Sequence, residues 1–412
     1  MDHQDGGKDK GAWAPEYLQS GTEAPWYRGW DISEEERERY RKISLASKEA
    51  RKQAYSADAQ PVRPINEPKL KPTDLMPQRE RHGLRALSLF SGGGGLDIGF
   101  DRAGYTHVAS YEVLDFAAET IKANRPDWTI HGGRDGDVTA VDWTKLRGTV
   151  DVVHGGPPCQ PFSIAGRRKG QQDARDMFPE LVRCVREIQP LAFVAENVPG
   201  LAAKKFEPHV QQTIVQPLSD LYVVHQFTMA APAFGVPQDR KRVFWVGIHK
   251  DAGAADFAPP QPTHDWLHLS TRKKLQPRID DDAPVLPKTM GAREALGLPS
   301  VGHDTVAPTI RSTLTGPRHT TSIVNSVAAV KRWEEIQIWP NGVAASRHLA
   351  SRFAARNGHF RLSVHDCKVL QGFPEEWAFE GPVYKVLGQI GNSVAPPVGY
   401  HVATALYEAL VR

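Results

Sequence analysis

The segment GGPPCQPFS, Gly155 to Ser163, puts a thiol in a setting unlike a packed core. Two prolines hold the chain extended, because proline fixes its own φ and restricts the residue before it. They present Pro158 and Cys159 directly after the apolar run DVVH, where a thiolate could act as a nucleophile. Cys184 and Cys367 fall in helical patterns and read as small buried hydrophobes. Glu196 ends the apolar run PLAFVAEN, and beside a nucleophile it could serve as an acid or hydrogen-bond partner. Helix capping or pairing with an arginine is the plainer alternative for it. In FGVPQDRKRVFWVG, strand alternation directs Gln238, Arg240 and Arg242 to one face.

A second group suits a ligand. Phe90, Ser91, Gly92, Gly94 and Gly95 lie in LFSGGGGLDIGF, a glycine turn between a strand and a helix, where backbone can approach a bound molecule closely. No Lys-Ser/Thr follows, so it is no triphosphate cradle. Glu112, with Val113 beside it, ends the next strand 18 residues after Gly94, which suits hydrogen bonding to ribose hydroxyls. Asp137 and Val138, in GDV, follow another strand and could meet an adenine amino group. Adenosine without a phosphate requirement fits these parts, and S-adenosylmethionine is the candidate ligand.

The elements that must position these residues alternate from Arg85 onward. RALSLF, HVASYEV, DVVHGG, PLAFVAENV and RVFWVGI read as strands with helices between them, which implies a parallel sheet flanked by helices. In such sheets ligands bind beyond the carboxyl ends of the strands. Residues 1–83 read as a charge-balanced arm. It holds a charged helix over Ser33–Tyr55, with Ser33 and Glu36 as a capping box, and then a Pro-rich linker. Residues 84–248 form a first domain, 249–360 an irregular second one, and 361–412 return to regular patterns and rejoin the first.

Composition bounds the rest. The 412 residues contain no apolar run long enough to span a membrane and open on no signal-like segment. Three cysteines exclude a disulfide scaffold, and no metal-ligand spacing is complete, so His264 and His268 read as surface or packing residues. A cytoplasmic protein is expected. The net charge of +3 is small for a nucleic-acid binder, but residues 249–360 carry 14 Lys/Arg against 10 Asp/Glu, a local +4 that the slightly acidic αβ portion conceals.

In order, SLFSGGGGLDIGF, YEVLDFAAETIKAN, GDV, GGPPCQPFS, FVAENV, PQDRKRVFWVG, RLSVHDCKVLQGFP and GQIGNSVAPPVG resemble the DNA (cytosine-5) methyltransferases of the bacterial restriction-modification type. The resemblance covers about half the chain. It departs at Ser88, where the family often has Asp, and at Asp366, where it often has Glu. It implies an α/β, Rossmann-like methyltransferase fold with a mixed sheet, helices on both faces and a smaller target-recognition domain at 249–360. It further implies S-adenosylmethionine as cofactor, a flipped cytosine in double-stranded DNA as substrate, and Cys159 as the thiolate adding to C6. Glu196 would then serve the N3 edge, and Arg242 with Arg240 would supply charge near O2. Asn392 and Ser393 would join the cofactor site. Ser163, Arg167, Arg168 and Lys169, in the loop after the nucleophile, would contact DNA, as would Gln238, Arg311, Arg318 and His319. No metal, a monomer and a separate restriction endonuclease acting on the same sequence complete the expectation. A tRNA cytosine-5 methyltransferase or a non-catalytic DNA-binding relative are the alternatives.

Overall fold

The computed structural model describes residues 60–158, 176–252, 257–269, 285–312, 314, 321–324, 326–353 and 358–411, with isolated positions between 34 and 56. Its main sheet contains β1 (Arg85–Leu89), β2 (Thr106–Glu112), β3 (Ile130–Gly132), β4 (Val152–Gly155), β5 (Ala192–Asn197) and β6 (Tyr222–Ala230). The two-residue β7 (Gln238–Asp239) leads into β8 (Lys241–His249), the sheet's seventh strand. The strand order is β3-β2-β1-β4-β5-β8-β6. The first five strands are parallel, as alternation implies, while β8 runs antiparallel to both β5 and β6, so the sheet is mixed. Chain order reverses at β1, which has β2 on one side and β4 on the other. The crevice beyond their carboxyl ends is where such sheets bind ligands.

Both faces of the sheet are covered, and the pleat decides which side chain goes where. Ala86, Val152, Val194 and Phe244 face one core. There α1 (Gly95–Arg102) contributes Ile98 and Phe100, and α2 (Asp115–Asn124) contributes Ile121. The odd partners Leu87, Val153, Phe193 and Trp245 face the other core, against α3 (Phe178–Ile188).

A third core lies in the second half of the chain. The β9 bridge (Ala307–Pro308) pairs with β7. Next come α4 (Val327–Glu335), β10 (Ile338–Ala344), β11 (Phe360–Ser363), parallel to β10, and α5 (Val364–Gln371) and α6 (Val383–Asn392). Ile310, Trp333 and Ile338 share one apolar cluster with Leu362, Leu370 and Leu387. The expected boundary at 360/361 therefore cuts through a core. Much of 361–412 completes the second domain, and it is α7 (Pro396–Leu410) that packs back on α1.

The Pro-rich stretch expected as a linker is docked. Val62 donates to Ser351 O, Lys69 to Ala295 O, and Asn66 Nδ2 to Leu296 O and Asp366 Oδ1. Farther on, Met76 is fully buried in the first core and Arg79 N bonds Arg102 O. Residues 60–83 thus strap the second domain to the first. Its prolines hide this, because a strap held by scattered single contacts needs no periodicity.

Among the described residues no helix is long and apolar enough to cross a membrane, and no cluster of three metal-ligating side chains occurs.

Candidate active site

The carboxyl ends of β4 and β5 and the start of β8 converge. Because β8 is antiparallel to β5, its first residues lie beside the last residues of β5, with Asn197 opposite Val243. That register brings Arg242 Nε to 2.6 Å from Glu196 Oε1, with both side chains largely buried. Burial pushes the Glu196 carboxyl above its ordinary pKa, while the charges of Arg242 and, more weakly, Arg240 oppose the rise. Arg242 is lowered by the same burial, offset by Glu196, and Arg311 adds a repulsive charge from the second domain.

The chain leading to Cys159 is fixed against this pair. A Cβ at Gly156 would lie 2.7 Å from Glu196 Oε2, so only glycine leaves the carboxylate its place. Asn197 Nδ2 donates to Pro157 O at 3.0 Å and ties the PPC segment to the end of β5. Sequence reasoning passed over Asn197, although its position directly after Glu196 at a strand end was the available signal. Pro158 is exposed beyond this anchor. Cys159, Ser163, Arg167, Arg168 and Lys169 lie outside the described residues, as do Arg318 and His319.

The other two residues of the QDRKR run do not share Arg242's surroundings. Arg240 is buried and donates to Gly391 O at 2.8 Å, to Ser393 O at 2.6 Å and to Ile310 O at 3.4 Å. Gln238, expected at the DNA, is fully buried. Its Nε2 donates to Gln371 Oε1 and Leu370 O, and its Oε1 accepts from Ile310 N. The chain breaks its alternation at Arg240, between β7 and β8, so the three side chains do not line one face. Arg240 and Gln238 lock the start of the second domain and the C-terminal segment onto β8. Arg311, next to that lock, is exposed.

At the end of β1 the turn is built from left-handed residues. Phe90 has φ 54°, Gly92 55° and Gly94 81°. A phenylalanine held there is strained, a state that persists where surrounding structure enforces it. The glycines serve a purpose other than the expected one. A Cβ on Gly94 would meet the Trp377 ring at 2.7 Å, and one on Gly95 would meet Val394 O at 2.3 Å. They admit the C-terminal segment, and Trp377 Nε1 donates to Gly93 O. Gly92 alone among the turn glycines faces open space, its nearest neighbour being Phe90 O at 4.0 Å.

Glu112 borders that opening. Its buried carboxylate accepts from Gly92 N at 2.6 Å and Leu114 N at 2.8 Å, and burial raises its pKa against the pull of those bonds. Val113 beside it is 49% exposed and Leu114 40% exposed. A buried carboxylate flanked by exposed apolar side chains and an open backbone turn matches the chemistry of a nucleoside. Val138 is buried, whereas Asp137 spends its carboxylate on Thr139 N and Oγ1. Asn392 is exposed; Ser393 bonds Gln389 O through its hydroxyl and anchors Arg240 and Gln371 through its carbonyl. Asp366 caps α5 by accepting from Ser363 N and Oγ, and pairs with Arg347 at 3.4 Å.

The family model of C-5 cytosine-specific DNA methylases matches residues 84–408, which leaves the strap outside. Type II methyltransferase M.NgoMIV of Neisseria gonorrhoeae is 31% identical over 336 residues, spanning 79% of this chain and 98% of that protein. Type II methyltransferase M.Eco47II of Escherichia coli is 31% identical over 341 residues, 79% of each chain. Among solved structures, a prophage-encoded E. coli protein superposes with a TM-score of 0.52 at 22% identity, covering 80% of this chain and 100% of that one, a likeness of fold. The chain belongs to the C-5 cytosine-specific DNA methylases.

Proposed function

We propose that the protein methylates C5 of a cytosine flipped out of a specific double-stranded DNA sequence, through a covalent adduct on Cys159. The observation that carries this reading is the buried Glu196–Arg242 pair set against Gly156 and Pro157, immediately before the thiol. Cytosine C5 is a poor nucleophile. Addition of the Cys159 thiolate to C6 breaks the ring's aromaticity and gives C5 enamine character. Glu196 meets the N3 edge. Only its protonated acid has a hydrogen to give N3, and the upward push of burial keeps that form within reach. Arg242 holds Glu196 in place and offers its charge to O2 as negative charge develops. Once C5 has taken the methyl group, with S-adenosylhomocysteine as the leaving group, the C5 proton would pass to water, N3 would return its proton to Glu196, and expulsion of the Cys159 thiolate would restore the ring.

S-adenosylmethionine, when bound, supplies an electrophilic methyl group on a sulfonium. Glu112 would hold its ribose hydroxyls, while Phe90, Ser91, Gly92 and Val113 would enclose the nucleoside. Gly94 and Gly95, Asp137, Val138, Pro158, Asn392 and Ser393 would frame that site. The base must leave the duplex to reach Cys159, a cost of about a few kcal/mol that contacts from the second domain offset. Arg311 is suited to that role by its exposure and its charge near Arg242. The named relatives are Type II methyltransferases, and the same reading for this chain is protection of DNA from a restriction endonuclease.

The test is tritiated methyl transfer from S-adenosylmethionine into duplex DNA and into tRNA, with wild type and Cys159→Ala, together with trapping on 5-fluorocytosine DNA. Labelled duplex DNA and a wild-type adduct absent from the variant are expected. Label in tRNA alone, or undiminished transfer by the variant, would sink the reading.

A further inference from the structure

Beneath the glycine turn lies a buried polar cluster that the proposed mechanism leaves unused. Asp97, in the first turn of α1, is 2% exposed. Its Oδ1 accepts from Ser110 Oγ at 3.0 Å, while Oδ2 is buried without a hydrogen-bond partner. Ser110 stands opposite Ser88 in the parallel register of β1 and β2, so both serines point to the face that α1 covers. The Ser88 hydroxyl lies 2.8 Å from that of Ser91 in the turn, and the two serines lower the Asp97 carboxyl's pKa against the larger effect of its burial. Ser110 is two residues before Glu112 and shares its face of β2, so whatever fixes Ser110 also fixes the strand end that aims Glu112.

Burial of a carboxylate without a cation is costly, and nothing in packing requires it here. Its position explains it. One carboxylate ties α1 to β2 beside the serine pair that ties β1 to the turn, the four pieces whose relative placement shapes the opening at Gly92.

We propose that Asp97 is the positioning residue of the cofactor turn, its carboxylate holding α1 to β2 beside the Ser88–Ser91 contact, so that a carboxylate placed at position 88 could do the same work from β1. The proposal rests on the cofactor reading given above. It makes the pair reciprocal: a carboxylate is needed at this point, from either side, and two are harmful.

The experiment is calorimetric titration of the full-length chain with S-adenosylmethionine, with thermal unfolding and duplex DNA binding measured alongside. Asp97→Ser weakens cofactor binding by about tenfold or more, the scale of a lost hydrogen bond to a charged group, and leaves DNA binding within about threefold. Ser88→Asp alone also weakens cofactor binding, by repulsion between two buried carboxylates. Ser88→Asp/Asp97→Ser recovers to within about threefold of wild type, which shows the two positions coupled, while the DNA binding kept by Asp97→Ser is what a merely structural role at Asp97 would not give. Ser110→Ala, a milder change, reports the same weakening should Asp97→Ser not fold. A double variant bound as poorly as Asp97→Ser, or Asp97→Ser and Ser110→Ala both bound as tightly as wild type, overturns the proposal. A wild type that binds no S-adenosylmethionine overturns the cofactor reading itself, and this proposal with it.

Discussion

Arg242 Nε sits 2.6 Å from Glu196 Oε1, the two side chains brought together by neighbouring antiparallel strand ends. A buried pair of this kind is weak evidence for stability in itself, but breaking it leaves an uncompensated buried charge. Arg242→Ala should therefore lower unfolding free energy by about 3–5 kcal/mol, as well as abolishing transfer. Glu196→Gln keeps shape and hydrogen-bonding capacity, so it should fold while losing on the order of 100-fold in methyl incorporation. Denaturant unfolding beside tritium incorporation separates the two effects, and full activity in Glu196→Gln would refute the role given to the carboxylate.

Asn197 contributes without touching the substrate. Its bond to Pro157 O fixes the segment entering Cys159. Asn197→Ala should cost about 1–3 kcal/mol of stability, since Pro157 O loses its buried donor. A displacement of about 1 Å at a nucleophile costs up to roughly 100-fold in rate. The loss should appear in kcat, with KM for S-adenosylmethionine near wild type; a change in KM alone would point elsewhere.

Arg240 should behave as a structural clamp. It is held by carbonyls of Gly391, Ser393 and Ile310, so Arg240→Met removes three ties at once. The expected result is a loss of about 3 kcal/mol or more. Limited proteolysis should show cleavage around residues 305–312 and 391–395 that wild type resists. Loss of activity with unchanged proteolysis would instead put Arg240 at the substrate.

Asp97 gives a pH signature. Burial pushes its carboxyl up to about 6 from 3.8, with Ser88, Ser110 and Ser91 opposing. The folded pKa lies above the unfolded one, so Asp97's contribution to stability is fully present below about pH 4 and is lost as pH rises through about 6. Wild type minus Asp97→Asn should therefore fall by about 3 kcal/mol between pH 4 and pH 7.5. Urea unfolding of both proteins at the two pH values checks it. A pH-independent difference would show that the carboxyl titrates normally.

Met76 tests the strap. It is fully buried in the first core although it lies before the family match begins. Met76→Ala should cost about 2–5 kcal/mol, a core-sized loss from a segment that looks like a linker. A loss below about 0.5 kcal/mol would mean the strap is not held there.

What the sequence made legible follows from locality. The strand ends that carry Glu196, Arg242 and the PPC segment were readable because a few neighbouring residues announce both the element and its terminus. Gln238 and Arg240 were misplaced because their partners, Leu370, Gln371, Gly391 and Ser393, are 132 to 153 residues away. The role of the turn glycines was half read. Their spacing promised a close approach, but only the fold shows that Trp377 and Val394 make most of it. The strap and the 360/361 boundary were missed because neither a chain held by scattered single contacts nor a core shared across a presumed junction leaves a periodic trace.

The packing of α7 on α1 sets an order on synthesis. Roughly 300 residues separate Arg102 from Pro396, and at roughly 5–20 residues per second they take tens of seconds to emerge. Throughout that interval α1 and its face of the sheet lack the helix that covers them. A nascent or prematurely terminated chain therefore holds Cys159, Glu196 and Arg242 without a closed first core. A chain ended before Pro396 leaves the apolar face of α1 uncovered, the kind of exposed surface that makes incomplete chains prone to aggregation.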